Sequence, residues 1–287
     1  MKVVIFGAAG QLGQALAASA PAGAELVGLD LPECDIGDPG QVEAAVTAAM
    51  PAIVFNAAAY TAVDRAESEP NLAHRLNADA AGWIAAAARE VGARMVQVST
   101  DFVFGGAAAA PRAPGDPVDP QGVYARTKHA GEQAVAAACP DALIVRTAWL
   151  YAARGANFVN TMLRLMAERD EVRVVADQIG TPTWAPSLAR ALWALAEAGA
   201  RGVHHYTDAG VASWYDFAVA IEEESRAAGL RERPVRMVPI NTADYPVPAP
   251  RPAYSVLDKS ATWALLGGPA PHWRANLREN MRELRDL

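Results

Sequence analysis

Lys128 follows Tyr124 by four residues in the stretch "GVYARTKHAGEQ", and it is one of only three lysines among 25 basic residues. On a helix that spacing puts both side chains on one face, about one turn apart. An ammonium beside a phenol favours the phenolate, so the spacing predicts a Tyr124 pKa below its usual ~10. A phenol tuned in this way is a proton donor for a carbonyl. An exposed helix face carries the same two residue types, and the pair alone does not choose between these readings.

Three other groups of residues bear on the choice. Gly7, Gly10 and Gly13 follow the apolar run "KVVIF" in the order Gly-x-x-Gly-x-x-Gly. Glycines at those intervals between a strand and a helix allow a tight turn, close approach of backbone to a pyrophosphate, and close helix–strand packing. Asp30 ends the next apolar run, where a carboxylate accepts hydrogen bonds from an adenosine ribose; a loop or capping Asp is the other reading. "NAAAYTAVDRAE" (56–67) follows the third run, so Ala59, Tyr60 and Thr61 are expected along the same dinucleotide. "VQVSTDFVF" (96–104) sets Ser99, Thr100 and Asp101 at a strand end. Thr100 is then a hydroxyl donor to the carbonyl oxygen that Tyr124 protonates, although Ser-Thr-Asp is equally a helix cap.

The elements that must hold these residues are legible as an alternation. Short apolar runs at 2–6, 25–29, 52–56, 94–99, 142–147 and 172–175 read as strands buried on both faces. Helical segments lie at 11–20, 39–49, 71–91, 122–138, 156–169 and 185–198. Strand and helix in turn predict an α/β fold, a doubly wound parallel sheet of Rossmann type with a smaller α+β substrate domain. The expected division is 1–148 with 172–199 for dinucleotide binding, and 149–171 with 200–287 for the substrate. Beyond residue 200 come a short strand with His204 and His205, a helix capped by Ser213, a proline-rich loop in "INTADYPVPAPRPAYSVLD", and a last helix from about 272. The histidine pair has no cysteine or carboxylate at ligand spacing and is assigned no metal. Glu222–Glu224 reads as a solvated helix face.

Composition narrows the partners. A net charge of −7 and a pI of about 5.3 argue against nucleic acid or an anionic membrane as partner. A few arginines and helix N-termini still suffice for an anionic small molecule. Cys34 and Cys139 cannot build a disulfide framework and are expected to be inert thiols. No apolar stretch is long enough to span a bilayer, and the first apolar run is too short for a secretory leader, so the expected location is the cytoplasm.

Taken together, the glycine turn, Ser-Thr-Asp and Tyr-x-x-x-Lys resemble the extended short-chain dehydrogenase/reductase superfamily. Within it, "GQLG", "NAAAYTAVDRAE", "STDFVF", "YARTKHAGE", "RTAWLY", "NFVNTMLRL", "DQIGTPT" and "RPAYSVL" resemble the dTDP-4-dehydrorhamnose reductases from Gly7 to about Leu257. The resemblance implies reduction of the 4-keto group of a dTDP-6-deoxyhexose, with NADPH or NADH as cofactor and a nucleotide sugar as substrate. It implies Tyr124 as acid/base, Lys128 as its partner and a ribose contact, and Thr100 as catalytic hydroxyl. Gly10, Gln11 and Leu12 match the pyrophosphate turn, Asp30, Asp35 and Ile36 the adenosine side, and Ala59 to Thr61 the cofactor wall. Asp101 and Trp149 match substrate contacts, and the Arg251 loop is expected near the anionic nucleotide.

The sequence departs from the family at Phe102 and Gly105, where Tyr and Asp are usual, at Ala125, where Gly is usual, and before Asp116, where a Glu is missing. Some members bridge subunits with a metal on an acidic residue after Gly-x-Pro-Thr. Here Trp184 to Ser187 follow, so a homodimer is expected to form without one. The resemblance leaves room for another nucleotide deoxysugar, or for a regulatory role like that of the methionine adenosyltransferase subunit. The intact Thr-Tyr-Lys set favours the enzyme.

Overall fold

In the computed structural model, which describes residues 1–107 and 110–287, five of the apolar runs form strands β1 (Lys2–Phe6), β2 (Glu25–Leu29), β3 (Ile53–Asn56), β4 (Arg94–Thr100) and β5 (Leu143–Thr147). They continue as β6 (Leu150–Tyr151), β7 (Glu171–Val175), β8 (Ile179–Gly180), β9 (Thr183–Trp184), β10 (Gly202–His205), β11 (Ala212–Ser213) and β12 (Arg236–Ile240). The central sheet has the order β10-β5-β4-β3-β1-β2, and every pair in it is parallel. Chain direction across the sheet reverses between β1 and β3, and a ligand crevice opens beyond the strand ends at such a point.

Side chains alternate across the strands. Val3 and Ile5 join Phe55, Val96 and Val145 in a core covered by α1 (Gln11–Ala18) and α8 (Ala185–Glu197). Val4 and Phe6 face the other way, into a core with α2 (Pro39–Ala49), α5 (Ala80–Glu90) and α6 (Gly122–Ala138). Phe55 meets Trp193 edge-on at 4.7 Å, fixing α8 against the sheet.

Two strands differ from expectation. The 172–175 run lies outside the central sheet: β7 pairs with β12 in a two-stranded ribbon. Its burial alternates, with Val172 and Val174 inside and Glu171 and Arg173 out, as suits one covered face. The sixth central position belongs to β10, the short strand with the histidines, which pairs with β5. β2 is likewise not buried on both faces; as an edge strand it leaves Glu25 and Gly28 exposed.

The helix expected over 71–91 is also interrupted. After α3 (Val63–Ala66), α4 (Pro70–His74) runs into a π-helical turn at Arg75–Asp79 before α5 begins. The widened turn carries buried Asn77, which accepts from Tyr60 N (2.8 Å) and donates to Tyr60 O and the Thr127 hydroxyl, both at 3.1 Å. A Cβ at Gly131 would come within 2.1 Å of Asn77 O, so the glycine lets α6 lie against this turn.

A second core gathers α7 (Phe158–Glu168), α9 (Trp214–Ala227) and, after the short α10 (Ser260–Leu265), α11 (Trp273–Arg285) around β7, with Met162, Phe217 and Leu277 inside. Ser213 caps α9 in a reciprocal pair with Asp216. Of the glutamates that follow, expected as a solvated face, only Glu223 is exposed. Glu222 and Glu224 are buried, and Glu224 is held by Arg274 (2.8 Å) and Arg278 (3.0 Å) of α11. Among the described residues no helix is long and apolar enough to cross a membrane.

Candidate active site

A cleft of about 1000 Å³ opens along the carboxyl ends of the central strands, as the reversal of strand order predicts. At one end lies the glycine turn. Gly7 has φ +77°, and a Cβ there would stand 2.6 Å from Ala58 N, so only glycine lets the turn pass over the end of β3. Gly10, Gln11 and Leu12 line the cleft. α1 starts there with neither a side-chain cap nor an acidic residue in its first turn, which leaves N–H groups for an anion. Gly13 does not line the cleft. A Cβ on it would fall 2.1 Å from Gly7 O, so it serves the packing of helix on turn.

Asp30 is fixed at the wall by accepting from Ala9 N (3.0 Å) and Leu31 N (3.2 Å), with Asp35 and Ile36 beside it in the lining. Ala59 and Thr61 also line the cleft. Tyr60 between them does not: its hydroxyl donates to Glu69 at 2.5 Å, away from the cleft.

At the deep end, β4 delivers Thr100 and Asp101, and the first turns of α6 deliver Tyr124 and Lys128 into the same lining. The Thr100 hydroxyl donates to Asp101 Oδ1 (3.0 Å) and accepts from Phe102 N (3.2 Å). Phe102 stands edge-on to Tyr124 with ring centroids 5.6 Å apart. Lys128 is buried, and its ammonium donates to Val98 O at 2.8 Å.

The expected lowering of the Tyr124 pKa is not what this environment produces. Burial of the hydroxyl end pushes it up to about 12, against the opposing effect of the Thr100 hydroxyl. Lys128 is itself desolvated, which pulls it down to about 8 although nearby Glu132 favours its charge. Burial likewise lifts the Asp101 carboxyl to about 6, opposed by the Ser255 and Thr100 hydroxyls. Desolvation outweighs the charge pairing on which the sequence argument relied.

Beneath this end lies a buried network that residue spacing did not reveal. Glu132, one turn past Lys128, accepts from Ser99 (2.5 Å) and doubly from Arg146 (2.8 and 2.7 Å). These bonds join α6 to β4 and β5 under the site. His205 of β10 closes the network 3.5 Å from Arg146, and burial takes it down to about 4, so it is neutral.

Trp149 lines the cleft from just beyond β5, in a left-handed conformation with φ +47°. Its indole fills the place where a Cβ on Gly180 would be, 2.6 Å away, which explains the glycine of "DQIGTPT". Arg251 is not in the lining. Its guanidinium is paired with Asp64 at 2.8 Å and sits 6.0 Å from the Phe102 ring. Among the polar residues of the lining, Arg154 escaped the sequence reading. Gln11 donates to Ala156 O (3.2 Å) and accepts from Asn157 (2.8 Å), while Arg154 of the same loop faces the cleft. An isolated Arg in "YAARGANF" gives no pattern by which to find it.

One cleft therefore combines a glycine turn at a helix start, a carboxylate at the end of β2, and two hydroxyls and a lysine, a set that suits carbonyl reduction with a dinucleotide. The chain matches the family model described as the RmlD substrate binding domain over residues 1–286. It is 45% identical to the dTDP-4-dehydrorhamnose reductase of Burkholderia thailandensis, covering 99% of each chain. The solved dTDP-4-dehydrorhamnose reductase of Clostridium acetobutylicum matches with a TM-score of 0.93 and 40% identity, over 99% of this chain and 100% of that one. That of Bacillus anthracis, solved in complex with NADP, matches with a TM-score of 0.93 and 36% identity, over 98% and 99%.

Proposed function

We infer the reaction from one premise: the chain belongs to the dTDP-4-dehydrorhamnose reductase family. It is an NAD(P)H-dependent oxidoreductase that reduces the 4-keto group of dTDP-4-dehydro-L-rhamnose, giving dTDP-L-rhamnose. The observation that carries the assignment of residues is the meeting of Thr100, Tyr124 and Lys128 with the glycine turn in a single cleft.

The residues present fit a dinucleotide. Gly10, Gln11 and Leu12 would hold its pyrophosphate, Asp30 with Asp35 and Ile36 its adenosine, and Ala59 and Thr61 its flank. Bound there, the reduced nicotinamide supplies a hydride to the carbonyl carbon. Tyr124 gives the phenolic proton to the carbonyl oxygen, and a pKa near 12 keeps that proton in place at neutral pH. Thr100 turns its one hydroxyl proton from Asp101 to the same oxygen, and Lys128 holds the nicotinamide ribose beside it. Trp149 and Asp101 contact the sugar. Arg251, outside the cleft lining and 6.0 Å from the Phe102 ring, serves the nucleotide end in this reading. Both NADH and NADPH are cofactors in this reading.

The division proposed is shifted from the expected 1–148 with 172–199 because β7 lies outside the central sheet and β10 within it: residues 1–148 with 185–205 form the dinucleotide part, and 149–184 with 206–287 the sugar part. Any homodimer forms without a bridging metal, since Trp184 to Ser187 offers no carboxylate. The test is to follow oxidation of NADH or NADPH with dTDP-4-dehydro-L-rhamnose and to identify the sugar formed. Absence of turnover with that sugar, alongside turnover of another nucleotide 4-ketosugar, would reassign the substrate.

A further inference from the structure

The helix that carries the proton donor is not capped by its own sequence. Gln121, at the N-cap of α6, makes no capping bond; its side chain donates instead to Asp119, at Oδ1 (2.8 Å) and at the carbonyl oxygen (3.3 Å). No acidic residue lies in the first turn. The acceptor comes from elsewhere in the chain. Glu67, just past α3, takes the hydrogen bond of Val123 N at 2.6 Å, and Val123 is the residue before Tyr124. Gly122, with φ +77°, makes the approach possible, since a Cβ there would come within 2.8 Å of the Glu67 carboxylate. An N–H at a helix start has no partner within the helix, and a carboxylate there also meets the positive end of the helix dipole.

Glu67 ends "NAAAYTAVDRAE", the segment whose Ala59 and Thr61 wall the cleft. Three residues earlier, Asp64 accepts from Ala249 N (3.2 Å) and Arg251 (2.8 Å). One short helix thus reaches the first turn of α6 with one carboxylate and the proline-rich loop with another. We propose that Glu67 is a positioning residue for the proton transfer, capping α6 from outside and holding Tyr124 in register with Thr100 and with the wall of the dinucleotide site. This role rests on Tyr124 being the proton donor.

Displacing a reacting group by about 1 Å costs up to roughly 10²-fold in rate. Glu67→Ala is therefore expected to lower kcat about tenfold per bound dinucleotide, with the sugar KM and the dinucleotide Kd within about twofold of wild type. The solvent deuterium isotope effect on kcat should rise, because the displaced phenol makes proton transfer slower. Glu67→Gln keeps an oxygen that accepts from Val123 N and should retain at least about half of kcat. Titrating dinucleotide binding by fluorescence counts folded sites, so loss of fold is not read as loss of rate. A Glu67→Ala kcat within twofold of wild type, an unchanged isotope effect, or equal damage in both variants would overturn the proposal. Tyr124→Phe run in parallel separates the two readings. An active Tyr124→Phe overturns the proton donor and this role with it, whereas an inactive one beside an unimpaired Glu67→Ala overturns this role alone.

Discussion

The indole of Trp149 lies flat on that of Trp214, with ring centroids 3.5 Å apart and planes 7° from parallel. Trp149 comes from the end of β5 and Trp214 from the start of α9, so the stack ties the deep end of the cleft to the second core. Phe158 of α7 supports it 4.6 Å from Trp214. An aromatic pair contributes about 0.5–1.5 kcal/mol beyond its buried area, roughly two- to twelvefold in affinity. Trp214→Ala is accordingly expected to raise the sugar KM by that factor with a smaller change in kcat. Gly180→Ala should do the same by displacing the indole. Steady-state kinetics with saturating dinucleotide measures both, and a KM unchanged in both variants would detach Trp149 from the sugar.

Tyr124→Phe should abolish nearly all turnover while leaving dinucleotide affinity close to wild type. General acid catalysis supplies about 10²–10⁴ in rate and acts in the transition state. Lys128→Ala should weaken both turnover and binding, because its ammonium faces the cleft from a fixed bond to Val98 O. Retention of more than about a tenth of turnover by Tyr124→Phe would remove the phenol from its assigned role.

The pH dependence follows from two buried groups. Lys128, lowered to about 8, keeps its charge below that pH and loses it above. Asp101, raised to about 6, is a carboxylate only above that pH. The profile of kcat/KM, which reports the free enzyme, should rise near pH 6 and fall near pH 8. Tyr124 at about 12 adds no limb in that window. Asp101→Asn should remove the acid limb alone, and an alkaline limb that first appears near pH 10 would contradict the desolvated state of Lys128.

NADH is expected to serve at least as well as NADPH. The 2′-phosphate would arrive where Asp30 is fixed by Ala9 N and Leu31 N, and residues 31–40 contain no Lys, Arg or His. A solvated repulsion of about 1–2 kcal/mol is roughly five- to thirtyfold in affinity. Asp30→Ala should shift the balance toward NADPH. A clear NADPH preference of the wild type in kcat/KM would point to Arg75, whose guanidinium already reaches Gly37 O at 2.7 Å.

The parts of this site that were readable in the sequence are those whose chemistry is local. Tyr124 and Lys128 share a helix, and the glycines share a turn, so residue type and spacing suffice. The strand at 172–175 shows the opposite case. Its apolar run looked like core, but the charged residues at 171 and 173 alternate with Val172 and Val174, the period of a strand covered on one face. Glu224 is not legible as a buried residue because its partners, Arg274 and Arg278, lie some 50 residues on in α11. Glu67 escaped for the same reason, since no local pattern links it to Val123. The Tyr124 pKa turned the other way because burial depends on the assembled cleft rather than on spacing along a helix.

The scarcity of lysine has a practical side in protein chemistry. Lys259 is buried over the Trp263 ring, and Lys128 opens only into the cleft. Lys2, about a third of whose side chain is exposed, lies beside Glu25 at 3.6 Å. An acylating reagent therefore meets the amino terminus and one accessible lysine outside the cleft, and attachment to a support with the cleft occupied leaves Lys128 untouched. Because a desolvated lysine with a pKa near 8 is a ready nucleophile once neutral, slow labelling of Lys128 at mildly alkaline pH becomes a gauge of occupancy. Dinucleotide seated in the cleft shields that amine, and its departure exposes it.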